Sequence, residues 1–87
     1  MERTNPLLLS AFARVLRRHR KRLGLSQEEL SFRTELSMSY ISLLETTNRQ
    51  PTLTVIHTLS RELNVPMGQL LSEVEDELAN WPTQPTH

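Results

Sequence analysis

Six of the ten basic side chains fall between positions 14 and 22: Arg14, Arg17, Arg18, Arg20, Lys21 and Arg22. Cations at that density either contact a polyanion or decorate a solvated helix face. Just beyond them stands Ser26-Gln27-Glu28-Glu29. At this spacing the serine hydroxyl accepts from the amide three residues on, and the Glu29 carboxylate reaches back, so a helix begins. Helix starts expose amides and carry about half a positive charge, which draws in phosphate. Ser37 marks a second such start. The residues for other chemistries are missing. With no cysteine, thiol nucleophiles, disulfides and thiolate metal sites are ruled out. Only His19, His57 and His87 offer imidazole, and there is neither a glycine-rich phosphate loop nor a clustered acid–base pair. No enzyme, metal or cofactor is expected.

The formal net charge is zero, but it conceals a separation. Residues 1–61 hold all ten bases and five acids, a charge of +5; residues 62–87 hold the other five acids and no Lys or Arg, a charge of −5. A basic face and a separate acidic end follow as expectations. Eighty-seven residues make one small domain. Such a chain hides only about 60% of its unfolded surface, so it is marginally stable or oligomeric. No apolar run approaches the ~20 residues that cross a bilayer. Leu7-Leu8-Leu9 is too short for a signal-peptide core and has Glu2 in front of it, so a cytoplasmic protein without membrane contact is expected.

The elements that must position these groups read as helices throughout. Pro6 suits a first turn; Leu8, Leu9, Phe12, Val15, Leu16 and Leu23 form the apolar stripe, and Gly24 supplies the stop. The second helix starts at Ser26, with Leu25 and Leu30 as a hydrophobic staple, and runs to about Thr34. Glu35-Leu36 is a brief turn, and the third helix covers Met38 to about Thr46 with Ile41 and Leu44 inward. Residues 46–51 read as a polar loop. Thr52 caps a fourth helix with the stripe Leu53, Ile56, Leu59 and Leu63. Pro66 opens a fifth, in which Met67, Leu70, Leu71, Val74 and Leu78 recur at helical spacing. The fold class is therefore all-α with five helices: a domain over residues 1–79 and a polar tail over 80–87. The second and third helices, about residues 26–46, form a helix-turn-helix whose second member is free to enter a major groove.

Three blocks carry a resemblance: Leu23-Gly24-Leu25-Ser26-Gln27-Glu28-Glu29-Leu30; Leu36-Ser37-Met38-Ser39-Tyr40-Ile41-Ser42-Leu43-Leu44-Glu45; and Arg49-Gln50-Pro51-Thr52-Leu53. At these spacings the chain resembles the phage-repressor/Cro (XRE-like) helix-turn-helix family over roughly residues 10–72. The resemblance implies a five-helix, lambda-repressor-like DNA-binding domain, a double-stranded DNA partner, and a homodimer on a palindromic operator. It places base reading at Met38, Ser39 and Leu43. Ser42 joins them because Ile41 and Leu44 are committed inward. It places phosphate contacts at Gln27 and, after the third helix, at Arg49, with Asn48 weaker. Ser37 caps the third helix whether or not it touches DNA, and Tyr40 either packs or offers its hydroxyl to a phosphate. Arg17, Lys21 and Arg22 are the supplementary phosphate neutralisers expected from the basic run.

Arg20 lies on the apolar stripe between Leu16 and Leu23, and Glu45 one turn after Ile41 is equally anomalous. A buried guanidinium requires an anion. The family places a buried Arg–Glu pair at the two matching positions, so Arg20–Glu45 is read as structural. The fifth helix is more apolar than a lone terminal helix needs, so Val74, Leu78 and Trp81 are assigned to a dimer interface. A dimer would set two reading helices about 34 Å apart.

The chain also departs from the family pattern. Glu35 stands where glycine is common, so the turn is either strained by about 1–2 kcal/mol or rebuilt. Ser31 replaces a frequent alanine. Phe32 replaces a polar residue and should be exposed. The reading helix lacks the Arg, Asn and Gln that make bidentate base contacts, so DNA shape should contribute. The alternative function is an antitoxin or adaptor-type module that uses the same fold to meet a protein, such as a toxin or polymerase, through Phe32, Trp81 and the acidic end.

Overall fold

The computed structural model describes residues 5–46 and 49–81. Among these the chain forms five helices and no strand. Four helix starts are fixed by side chains. Asn5 Oδ1 accepts from the Leu8 amide at 3.1 Å and opens α1 (Pro6–Arg22). Ser26 Oγ accepts from the Glu29 amide at 3.0 Å while the Glu29 carboxylate accepts from the Ser26 amide at 2.8 Å, the reciprocal cap of α2 (Gln27–Thr34). Ser37 caps α3 (Met38–Glu45) through the Tyr40 amide, and Thr52 caps α4 (Leu53–Glu62) through the Val55 amide. The last helix, α5 (Met67–Ala79), follows Pro66, which is its N-cap and not its first helical residue.

Helix ends use left-handed residues. Gly24, at φ 70°, closes α1: its amide donates to the Lys21 carbonyl at 2.9 Å and the Leu25 amide donates to the Arg20 carbonyl at 3.1 Å. Asn64, at φ 59°, closes α4 in the same way, with donors to Arg61 and Ser60. Both are the paired-bond end that satisfies orphan carbonyls. The turn between α2 and α3 is more constrained. Glu35 itself takes φ 62°, so the conformation that favours glycine is kept despite its side chain. Two hydroxyls hold the next residue. Ser31 Oγ donates to the Leu36 carbonyl, and Thr34 Oγ1 accepts from the Leu36 amide while donating to the Leu30 carbonyl.

The core draws on every helix: Phe12, Val15 and Leu16 from α1, Leu30 from α2, Ile41 and Leu44 from α3, Leu59 from α4, and Leu70 from α5. α1 lies along α5 and against α3, and α2 packs on α3 and α4. Two expectations are corrected. Leu53 is not a core residue; it is 67% exposed at the first position of α4, and Leu59 and Leu63 carry the burial instead. Val74 is not on a free face either. It is 3% exposed within the core of its own chain, because α5 turns that side toward α1.

The acidic end is also not separate. Glu77 bridges Arg14 and Arg18 at 2.9 and 3.2 Å, and Glu73 meets His19 Nε2 at 2.7 Å. Gln69 donates to the other Glu73 oxygen. Burial works to raise the Glu73 pKa, but hydrogen bonds from Gln69 and His19 and the field of Arg18 outweigh it and hold it below 4.5, the ordinary value. The guanidinium of Arg14 also sits 4.2 Å over the Trp81 ring. Arg14 and Arg18 are half exposed, so their pairs with Glu77 contribute at most about 1 kcal/mol each.

Arg20 and Glu45 meet inside. Arg20 Nε and Nη2 donate to the two Glu45 oxygens at 2.7 and 2.9 Å, and Nη1 donates to the Leu25 carbonyl at 2.8 Å. The hydrogen bonding to Glu45 raises the Arg20 pKa further; desolvation opposes it and the Glu45 charge adds to it. Residue 45 ends α3, so the pair ties the far end of α3 to α1.

Two stability measurements follow. Arg20→Met and Glu45→Leu should each cost about 3–5 kcal/mol in denaturant unfolding, because each leaves a buried charge alone. The double variant should lose far less than the sum; additive losses would mean that the two groups act independently. Glu35→Gly should raise Tm by a few degrees, since relief of about 1–2 kcal/mol of left-handed strain exceeds the added backbone entropy of about 0.5–1 kcal/mol. An unchanged or lower Tm would show that the Ser31 and Thr34 hydroxyls have already relaxed the turn.

Candidate nucleic-acid interface

The outward side of the helix-turn-helix is built from the start of α2 and the exposed flank of α3. Ile41 and Leu44 face the core, which leaves Met38 and Ser39 exposed and Ser42 and Leu43 half-buried. These four and Gln27 line one shallow concavity of about 410 Å³. The sequence-assigned base-reading residues thus lie together on the surface.

The two helix starts differ in charge. The first turn of α2 carries Glu28 and Glu29, and the Glu29 pKa is lowered, chiefly because the carboxylate accepts from the Ser26 backbone amide. Those carboxylates offset the positive end of α2. The first turn of α3 has no acid, so its end remains favourable for an anion. Ser37, its cap, is exposed there, while the Tyr40 ring is half-buried against the core.

Glu45 organises more than its partner Arg20. Gln27 Nε2 donates to Glu45 Oε1 at 3.0 Å, and Arg17 Nη2 donates to the Glu45 backbone carbonyl at 3.0 Å. One residue at the end of α3 therefore holds a cation from α1 and the amide at the tip of α2. Lys21 is exposed one turn along α1 from Arg17. Arg22 is the exception among the expected α1 cations. Its Nη2 lies 2.9 Å from His19 Nδ1, on the flank that meets α5. Since a guanidinium only donates, Nδ1 accepts and the Nε2 hydrogen goes to Glu73. Arg49 is exposed beyond α3, and Asn48 lies outside the described residues.

Glu45 as a three-way acceptor was not readable from spacing, because nothing local links positions 17, 27 and 45. The burial of His19 was readable: it falls three and four residues after Leu16 and Val15, on the apolar stripe, and is 6% exposed. Of the residues assigned to a dimer face, Leu78 packs partly against the core and Trp81 is half-buried beneath Arg14. The exposed apolar groups lie elsewhere: Phe32 at 82%, Leu53 at 67%, Met38 at 51% and Leu8 at 40%. Among the described residues no helix is long and apolar enough to cross a membrane, and no group of His and acidic side chains could hold a metal ion.

Comparison with known proteins agrees with this geometry. A helix-turn-helix family model matches residues 16–70. The chain is 34% identical over 70 residues to an uncharacterized HTH-type transcriptional regulator, y4dJ, of Sinorhizobium fredii, covering 80% of this chain and 86% of that protein. Its fold is similar to that of the restriction-modification controller protein C.Esp1396I, solved as a tetramer with its natural 35 base-pair operator. There the TM-score is 0.77 at 26% identity, over 84% of this chain and 96% of the other. The controller protein C.AhdI from Aeromonas hydrophila is likewise similar, with a TM-score of 0.69 and 35% identity over 71% of this chain and 94% of that one. With the family model spanning residues 16–70, a regulator 34% identical over most of both chains and a matching fold, the chain belongs to the XRE-like helix-turn-helix family of DNA-binding transcriptional regulators.

Proposed function

We propose that this protein regulates transcription in the cytoplasm of a bacterium, as a chromosomal or phage-encoded factor. It binds a palindromic operator as a homodimer, with one α3 in each of two successive major grooves. The observation that carries this reading is the outward flank of α3. Met38, Ser39, Ser42 and Leu43 stand at the surface beside an acid-free helix start, with the cations Arg17 and Arg49 exposed on neighbouring elements. Phosphate contacts from Gln27, Ser37, Arg17, Lys21 and Arg49 fix the register, and the α3 side chains meet base edges. C.Esp1396I, which shares the fold, occupies its operator as a tetramer, a precedent for assembly on DNA.

For the dimer face, the reading centres on the groove beside α1, α4 and α5, which the buried Val74 lines from below while more exposed residues form its walls. That groove, of about 300 Å³, is lined by Leu8, Phe12, Pro51, Ile56 and Leu71 among others, and by no charged side chain. Exposed Leu53 stands one turn before Ile56 on α4. Apolar projections and an apolar hollow on one surface are what a two-fold contact between identical chains requires. The competing reading, an antitoxin or adaptor that meets a toxin or polymerase, draws on Phe32, an aromatic ring 82% exposed on α2.

Selection from random duplex DNA should return a palindrome, with affinity falling steeply as salt rises. Arg49→Ala should weaken all sequences alike and reduce the salt slope by about 1 per subunit, whereas Ser39→Ala should change base preference at one position per half-site. If no duplex is enriched while a protein partner co-purifies, the adaptor reading replaces this one. Leu53→Asp, at a site exposed in the single chain, should keep the helical circular dichroism but sediment as a monomer and bind the operator more weakly. A wild-type chain that is monomeric at high micromolar concentration would remove the dimer.

A further inference from the structure

The concavity on α3 has an unusual composition for a base-reading surface. It is lined by Gln27, Met38, Ser39, Ser42 and Leu43 and holds no charged side chain. Guanine is read most often by Arg or Lys, cytosine by Asp or Glu, and adenine by Asn or Gln. Of these, only Gln27 is present, at the tip of α2 rather than on α3, and one hydrogen of its Nε2 is taken by Glu45. Two hydroxyls and two apolar groups remain. Hydroxyls accept from or donate to almost any base edge and discriminate little. The apolar groups are the distinctive feature. Met38 leaves half of its surface in water in the free chain, and Leu43 is half-buried beside it.

Among the features that the four bases show in the major groove, one alone is apolar: the C5-methyl group of thymine. We infer that Met38 and Leu43 are specificity-determining residues that read thymine methyl groups in the operator, with Ser39 and Ser42 adding hydrogen bonds of low selectivity. The inference rests on the operator-binding reading of α3 and names what that helix recognises. It also fits the absence of bidentate readers from α3, since methyl contacts need no fixed donor–acceptor geometry. Burial against a methyl removes apolar surface from water on both partners.

The test uses the full chain and the duplex that it selects from a random library. Each half-site thymine is replaced singly by deoxyuridine, which removes the methyl and preserves pairing. At the contacted positions, affinity should fall about fourfold per methyl, the factor that burying one CH₂-sized group corresponds to; other positions should not respond. Replacing a contacted thymine by 5-methylcytosine should retain more affinity than replacing it by cytosine. In Met38→Ala the penalty at one thymine should disappear while the salt slope stays unchanged. Leu43→Ala, or Leu43→Gln if the alanine variant melts early, should abolish the penalty at another.

Three outcomes overturn the inference. If the selected duplex binds and deoxyuridine is tolerated at every position, methyl reading falls while operator binding stands. If the penalties persist unchanged in both variants, the methyls are read by other residues. If no duplex is selected, this inference and the operator reading fall together.

Discussion

A carboxylate at the end of α3 is 3% exposed, and hydrogen-bond donors from two other helices converge on it. Arg20 supplies two of them from α1, and Gln27 supplies a third from the tip of α2. Removing that charge from water is costly, and mutual attraction offsets the cost only when the geometry is good and the remaining lone pairs are filled. The geometry here is good: the fork of Arg20 meets both oxygens, and its third nitrogen is satisfied by the Leu25 carbonyl. The arrangement gives little net stability over an apolar contact of the same size. It gives direction. α3 cannot rotate about its axis or slide along α1 without breaking a charged hydrogen bond.

That constraint acts at one end of α3, and the turn acts at the other. Glu35 reverses the chain in a left-handed conformation, and Ser31 and Thr34 grip the carbonyl and amide of Leu36. An eight-residue helix fixed at both ends behaves as a rigid rod, although two turns of helix would not persist alone. The side chains it presents are therefore positioned by contacts that none of them makes. Burial of Ile41 and Leu44 sets which flank faces inward, and the outward flank follows from the helical period.

The parts legible in the sequence are those governed by neighbours a few residues apart. Ser26, Ser37 and Thr52 as caps, Gly24 as a stop and Ile41 with Leu44 as the inner face of α3 all depend on local spacing, and the structure has them so. The left-handed state of Glu35 could be posed as an alternative but not decided, because the hydroxyls that compensate for it come from the preceding turn. Val74 and Leu53 were misplaced for one reason. A helical stripe tells which residues share a face but not which neighbouring element covers it. α5 lies against α1 and so buries Val74, whereas Leu53, the first residue of α4, stays 67% exposed. Arg17 and Arg22 were given one and the same phosphate role, because the run alone could not tell their surroundings apart. Both belong to one cationic run, yet Arg17 reaches α3 and Arg22 is engaged on the α5 side.

The folding of the acidic segment onto the back of α1 changes how the molecule meets a charged rod at a distance. With ten positive and ten negative side chains, it has no monopole to draw it through solution. Its longest dimension is 43 Å, several times the Debye length of about 8 Å at physiological ionic strength. A duplex therefore senses only the nearer side of the protein. Glu77 pairs with Arg14 and Arg18 on the back of α1, whereas Arg17, Lys21 and Arg49 stand exposed and in no ion pair with a carboxylate among the described residues. Capture then depends on which way the molecule is facing at close range, so productive encounters are sorted by orientation and backward collisions are shed.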